Sequence, residues 1–202
     1  MKNPFILLIM LPFFGFSQTK SDIFKSNQPL VFLGADFSRI QFTKSEKFNN
    51  KPEILRFFVD CNNLLEEKLY QKTLRKKLNR HEIKNDFSYV TKNNALVDWQ
   101  KVFSDNTEYK LTDDDISDMI KKLNINQSEY KNYLGMILCE ENYSKTKLKG
   151  TVAAVFFSIN DLKPIIIKHF TFKPAGYGFL YYWNSINYNA IKSLKKIKKD
   201  VK

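Results

Sequence analysis

The segment 133–172, YLGMILCEENYSKTKLKGTVAAVFFSINDLKPIIIKHFTF, decides the fold class. Its three apolar runs, at 133–139, 151–159 and 165–172, predict β-strands because they are short and rich in β-branched and aromatic residues. The polar segments between them are too short for the crossover that joins parallel strands. The pattern therefore predicts an antiparallel three-strand meander, and the run VAAVFF at 152–157 predicts a sheet covered on both faces.

Upstream of this meander, the apolar run that starts at Leu30 predicts a buried strand that ends near Asp36. An amphipathic helix is then expected to begin at Asn50, a favourable N-cap residue, and to continue into the basic segment 72–80. Its apolar residues recur at nearly every fourth position, which predicts one buried face: Ile54, Phe58, Cys61, Leu65 and Leu69.

Two further helices are expected. Thr112 precedes three aspartates, and this order is typical of a capped helix N-terminus, where carboxylates face the positive end of the helix dipole. A turn at 174–178 leads into a C-terminal helix with lysines on one side and an apolar stripe on the other: Tyr182, Trp183, Ile186, Ala190, Ile191, Leu194 and Ile197. Between the first two helices, residues 87–90 are expected to form a short strand, and 95–103 a strand or a helical turn.

The element order β-α-(β)-α-β-β-β-α predicts a single α/β (α+β) sandwich domain over residues 18–202, with a mixed sheet covered by helices. The chain has 202 residues, which suits one domain. Its 43% hydrophobic and 27% charged residues exclude a mainly disordered, a collagen-like or a multi-span membrane protein.

Residues 1–17 have the features of a secretory signal peptide. Lys2 supplies the positive start, an apolar run follows at 4–16, and the small residues Gly15 and Ser17 place the cleavage after Ser17. The apolar run is shorter than the roughly 20 residues that span a bilayer. The alternative is a buried N-terminal strand or helix. The sequence thus predicts export to the periplasm or beyond, with no transmembrane span.

The chain is strongly basic, with 33 Lys and Arg against 21 Asp and Glu and a net charge of +12. Only Arg39, Arg56, Arg75 and Arg80 are arginines, the residue type that most often recognises phosphate in a specific way. Because an exported protein also seldom meets nucleic acid, no nucleic-acid partner is expected. Most of the lysines are interpreted as solvated surface residues, and adhesion to an anionic membrane surface is a further alternative.

Motifs of known chemistry are absent from the sequence. It has no Gly-x-Ser-x-Gly elbow, no phosphate-binding loop and no Cys-x-x-Cys pair, and His81-Glu82 lacks the second histidine of a zinc-protease motif. No cofactor and no metal site are therefore expected. Asp36 is a candidate catalytic acid at a strand end, together with a carboxylate from segment 80–130. The adjacent Glu140 and Glu141 are expected to face opposite ways, which does not suit a paired acid and base.

Two further candidate sites each have a structural alternative. Cys61 and Cys139 are the only cysteines; in an exported protein they are candidates for a disulfide, and the alternative is two buried free thiols. The turn with Gly176 and Gly178 lies at a helix N-terminus close to Lys173, so it is a candidate anion-binding site. The alternative is that these glycines supply positive φ angles and allow a close approach of the helix to the sheet.

Four segments carry a resemblance: GADF at 34–37, LTDDD at 111–115, GTVAAVFF at 150–157, and AGYGF at 175–179 before Tyr182-Trp183. Together they resemble a group of uncharacterised exported proteins of Gram-negative bacteria. The Gly-x-Gly-Phe turn before a tryptophan-bearing helix carries most of that resemblance. In element order alone, the chain is also similar to envelope proteins with a TolB-N-terminal or curli-assembly-factor type of α/β domain. The resemblance implies export and gives no residue a role.

These observations predict an exported envelope protein that is not an enzyme and acts by binding or assembly with another envelope protein. The prediction depends on the export signal and on the absence of catalytic motifs. The alternative is a hydrolase-like enzyme with a carboxylate site near Asp36.

Overall fold

The computed structural model describes residues 18–43 and 53–200. The predicted signal peptide and the expected N-cap Asn50 therefore lie outside the described residues. The described chain is a mixed α/β fold, which confirms the predicted class. Its seven-stranded sheet consists of β1 (Leu30–Asp36), β2 (Gln41–Thr43), β3 (Lys84–Asn85), β4 (Phe103–Ser104), β5 (Leu134–Ser144), β6 (Lys149–Ser158) and β7 (Lys163–Phe172). Its helices are α1 (Ile54–Glu66), α2 (Lys68–Leu78), α3 (Ser88–Ala95), α4 (Asp113–Lys122), α5 (Phe179–Ser193) and α6 (Ile197–Asp200).

Strand β5 is the centre of the sheet. On one side it pairs in parallel with β1 along its first half and with β2 at its end, and β3 and β4 extend the sheet in parallel beyond them. On its other side β5 pairs antiparallel with β6, which in turn pairs antiparallel with β7. Within the described residues β7 pairs with β6 alone, so it is an edge strand.

The two faces of the sheet are covered differently. Helix α1 contacts α2, α3 and α5, and together these helices form one layer. Gly150, which pairs with Phe172, marks the face under this layer, because Ile186 of α5 lies directly above it. His169 has the opposite parity on β7 and lines a groove with Ser117, so α4 covers the other face.

The first predicted helix is in fact two helices. The chain leaves the helical conformation at Glu67, where ψ is 148°, and α2 starts at the next residue. The break rotates the buried face, so that α2 buries Tyr70 and Leu74 while Leu69 is 57% exposed. The prediction of Leu69 as a core residue was therefore wrong, because a regular spacing holds only along an unbroken helix.

The predicted strand at 87–90 is also wrong, because Phe87 is the N-cap of α3 and the next three residues are its first turn. The reason is local. The Asp86 carboxylate accepts hydrogen bonds from the Ser88 backbone N–H at 3.1 Å and from its hydroxyl at 2.6 Å, an arrangement that favours the start of a helix. Further along, Phe103 and Ser104 do form a short strand.

The two remaining helices agree with the sequence. The Thr112 hydroxyl accepts the Asp115 N–H at 3.1 Å and the Asp115 carboxylate accepts the Thr112 N–H at 3.0 Å, which is a complete capping box. Helix α5 buries Trp183, Ile186 and Ile191 on its sheet-facing side. Among the described residues, no helix combines the length and apolar character needed to cross a bilayer.

Candidate functional site

A β-bulge in β5 organises the best-defined polar site. The pairing of β5 with β6 shifts between Glu140 and Asn142, which leaves Glu141 as the extra residue. A bulge of this kind redirects side chains at the point where it occurs. Glu140 contacts Tyr143 under the layer that contains α5, whereas Glu141 contacts Leu111 and His169 on the α4 side. The two glutamates thus face opposite ways, as the sequence indicated.

Glu141 and His169 form a buried acid–histidine pair. Glu141 Oε1 accepts the Leu111 backbone N–H at 2.9 Å and lies 2.8 Å from His169 Nδ1. The Glu141 side chain is fully buried, while the His169 side chain is 21% exposed. In the tautomer in which Nδ1–H donates a hydrogen bond to the carboxylate, a neutral His169 carries its lone pair on Nε2. The contact with Glu141 therefore fixes the orientation of the imidazole ring, and Nε2 is the ring nitrogen that Glu141 does not engage.

His169 opens onto a groove between β7 and α4, here called the β7–α4 groove. Its volume is about 490 Å³. One wall is residues 164–169 of β7, and the other wall contains Asp113 and Ser117 of α4 together with Lys20. The groove thus combines isoleucine side chains, several cationic groups and one acid, which suits an occupant that is partly apolar and partly charged.

The outer side of β7 is the second feature of this region. β7 is ten residues long, and within the described residues no strand pairs with its outer side. Segment 163–173 reads KPIIIKHFTFK and contains no Asp or Glu. Such an edge presents backbone N–H and C=O groups to which another extended chain can pair.

A second buried acid lies on the opposite face. Glu140 Oε2 accepts the Tyr143 hydroxyl at 2.8 Å, and burial raises the pKa of this carboxyl to about 8. Asn187 of α5 lies within hydrogen-bonding reach of Glu140. Glu140 Oε1 and Asn187 Oδ1 are buried acceptors without a partner among the described residues. Burial therefore favours the neutral acid and outweighs the hydrogen bonds with Tyr143 and Asn187, which lower the pKa.

Asp36 lies at the carboxyl end of β1, as expected, and is fully buried. Its carboxylate accepts the Ser38 N–H at 2.7 Å and contacts the Asn93 amide at 3.5 Å, while burial raises its pKa. Ser38 and Asn93 line a cavity of about 460 Å³ together with Arg39. Arg39 pairs with Asp115 and Asp118 of α4. The residue of segment 80–130 that contacts Asp36 is thus an amide instead of the expected acid.

The glycine turn before α5 has the positive φ angles expected if its glycines serve the backbone conformation of the turn. Gly176 and Gly178 have φ angles of 120° and 77°, which residues with a side chain rarely adopt. One N–H of the turn, that of Ala175, donates to the Ser185 hydroxyl at 2.8 Å. Lys173 is exposed beside it. The positive φ angles explain both glycines, and anion binding at Gly176, Gly178 and Lys173 stays a prediction.

Cys61 and Cys139 are free thiols in the structure, and both are fully buried. The structure therefore has the alternative, two buried free thiols, and not the candidate disulfide. Cys61 lies on the buried side of α1, which packs with α5 in the layer that covers the face of Glu140. Cys139 directly precedes Glu140 on β5 and so points to the other face. Burial raises the pKa of both thiols well above the ordinary value.

Within residues 18–43 and 53–200, no three His, Cys, Asp or Glu side chains are grouped so that they could hold a metal ion. Comparison with protein-family models, curated proteins and solved structures found no match to this chain. Sequence reasoning missed the pair of Glu141 and His169, which are 28 residues apart. The signal that could have found it is the register of β5, β6 and β7, because Ala153 of β6 pairs with both Cys139 and His169, which places His169 close to Glu141.

Proposed function

We propose that this chain is an exported envelope protein that acts by binding, and that it holds an extended segment of a partner protein along β7. The observation that carries the proposal is the ten-residue edge strand whose outer side has no paired strand among the described residues. An extended segment added there gains backbone hydrogen bonds along its length.

The groove beside β7 supports the same proposal. Ile165 and Ile167 are only partly buried and line the β7–α4 groove, so they offer apolar contacts to side chains of an added strand. Natural proteins usually protect a long edge strand, by covering it or by placing charges or proline on it. β7 carries Pro164 near its start and the lysines Lys163 and Lys168, but the residues after Pro164 keep their backbone N–H groups and are not paired on the outer side within the described residues. The predicted signal peptide supports a location in the envelope.

Site-specific photo-crosslinking tests this function. A photoreactive residue is placed at Thr171, which is exposed on β7, and as a matched control at Lys195, which is exposed after α5. In cells that export the protein, we expect a covalent adduct from position 171 and none from position 195. Ile167→Pro, which disrupts the strand, should abolish the adduct. Equal labelling at both positions, or no adduct at 171, would contradict the proposal.

A second candidate function is hydrolysis, and the 2.8 Å contact between Glu141 and His169 favours it. An imidazole held in this way can accept a proton from an attacking water. The alternative location is the cavity near Asp36. Chromogenic ester and peptide substrates test the activity. Loss of turnover in His169→Asn places it in the β7–α4 groove, loss in Asp36→Asn places it at β1, and no turnover by the wild-type protein rejects an enzyme for these substrates.

A further inference from the structure

We infer that the segment bound along β7 is acidic, with carboxylate side chains interspersed among apolar ones. This inference rests on the proposed function and adds the chemistry of the partner. It follows from the charge of β7 and its surroundings. Segment 163–173 contains Lys163, Lys168, His169 and Lys173 and no acid, and Lys20 lines the groove beside it. Asp113 is the one acid among the residues that line the groove.

The spacing of these residues defines the pattern of the partner. Ile167 and His169 pair with Val155 and Ala153 and so lie on one face of β7, two positions apart. On the other face, Lys168 lies between the buried Ile166 and Phe170. β7 thus has the exposed lysines Lys163 and Lys173 at its two ends and apolar side chains between them, whereas Lys168 also interacts within the chain. Because directly opposed residues of paired strands contact each other, the partner is expected to carry acids opposite the exposed lysines and apolar residues between them.

Glu141 gives His169 a particular part in this recognition. The buried carboxylate holds Nδ1, so Nε2 has a defined position at the groove wall before any ligand arrives. Because Glu141 engages Nδ1, Nε2 is the ring nitrogen left to contact a polar group of the partner. A side chain that is already ordered loses little conformational entropy on binding.

A second copy of the chain fits this edge less well. In an antiparallel pair of β7 strands centred on Lys168, Lys163 of one copy faces Lys173 of the other, and the two Lys168 residues face each other. No acid of segment 163–173 offsets this repulsion. Like charges directly opposite each other destabilise strand pairing. An acidic segment of another protein meets the same backbone without this repulsion.

Two synthetic strand peptides test the inference. They share the same apolar residues and differ in having glutamate or lysine at the charged positions. We expect the acidic peptide to bind at least about tenfold more tightly at low salt, to lose much of this advantage at high salt, and to slow hydrogen exchange of the β7 amides.

Charge-matched variants locate the effect. Lys163→Glu with Lys173→Glu changes two exposed residues at the ends of β7, whereas Lys72→Glu with Lys76→Glu makes the same change in charge on exposed positions of α2. The first double variant is expected to lose the preference for the acidic peptide, and the second to retain it.

The outcomes separate the two proposals. If both peptides bind equally and Ile167→Pro abolishes both, binding along β7 stands and the acidic partner is wrong. If neither peptide protects β7 and Thr171 gives no adduct, both proposals are wrong. A concentration-dependent dimer that Ile167→Pro abolishes assigns β7 to a second copy and overturns the acidic partner. The protein could also bind anionic vesicles and neither peptide. If Lys163→Glu with Lys173→Glu abolishes that binding and Lys72→Glu with Lys76→Glu does not, the cations of β7 bind a lipid surface, and the inference of an acidic partner is wrong.

Discussion

The indole ring of Trp183 stacks on the ring of Tyr143, with centroids 4.7 Å apart and planes inclined by 7°. Both side chains are fully buried. Tyr143 lies on β5 and Trp183 on α5, so this contact joins the C-terminal helix to the central strand. The hydroxyl of Tyr143 also bonds Glu140, and the stack therefore adjoins the buried acid.

Trp183→Ala is expected to lower the melting temperature sharply. Truncation of a buried tryptophan costs about 3–5 kcal/mol, compared with a total stability of about 5–15 kcal/mol for an ordinary domain. Tyr181→Ala is the control, because Tyr181 is 60% exposed two positions earlier on the same helix. Urea unfolding measures both variants. A Trp183→Ala variant that unfolds like the wild type but loses its partner would identify α5 as an interface.

The free energy of unfolding is expected to fall as pH rises from the ordinary pKa of a glutamate, about 4.3, to the value of about 8 for folded Glu140. In this window the folded state retains a proton that the unfolded state has released, so higher pH favours unfolding. Glu140→Gln keeps the size of the side chain and cannot titrate. Its stability should therefore decline less than that of the wild type between about pH 5 and about pH 9. Parallel stability curves from urea unfolding would reject this role of Glu140.

An irregularity in β1 makes two asparagines important. The pairing of β1 with β5 shifts between Phe32 and Ala35, and Gly34 there has a φ of 91°. The Asn62 side chain accepts the Ala35 N–H at 2.8 Å and donates to the Ala35 carbonyl at 3.0 Å. Asn94 accepts the Phe37 N–H at 2.8 Å and also donates to Ala35. These amides satisfy backbone groups near the shift.

Asn62→Ala is expected to destabilise the fold by about 1–3 kcal/mol, because it leaves the Ala35 N–H buried without a partner. Asn63→Ala is a closely matched control, since Asn63 is exposed at the next position of α1. Chemical denaturation compares the two variants. If both lose the same stability, the role assigned to the Asn62 amide is wrong.

Both cysteine thiols are expected to resist labelling in the native protein and to react after denaturation without a reductant. Full burial excludes the reagent, and the raised pKa of each thiol keeps it protonated. Thiol titration and mass spectrometry of the purified protein count the free groups. Fewer than two reactive thiols in the denatured chain would restore the disulfide of Cys61 and Cys139.

Several features could be predicted from the sequence because neighbouring residues determine them. The capping box of Thr112 and Asp115 is a contact three positions apart, and the apolar stripe of α5 repeats with the turn of the helix. The long apolar runs near the C-terminus are strands, although β5 continues through Glu140 and Glu141 to Ser144. Local rules failed at Glu67, where one residue outside the helical conformation changed which side chains of α2 are buried.

By itself, the sequence determined the mixed α/β class, the start of α4 at Thr112 and the apolar stripe of α5, since these arise from contacts within one or two turns or along one strand. Only the tertiary structure decided that β1 and β2 share one side of β5 and that the outer side of β7 is left unpaired among the described residues. It also decided the pair of Glu141 and His169, because a one-residue bulge in β5 and the register of two further pairings bring them together. A contact over 28 residues depends on how strands pair across the sheet, and no local propensity encodes it.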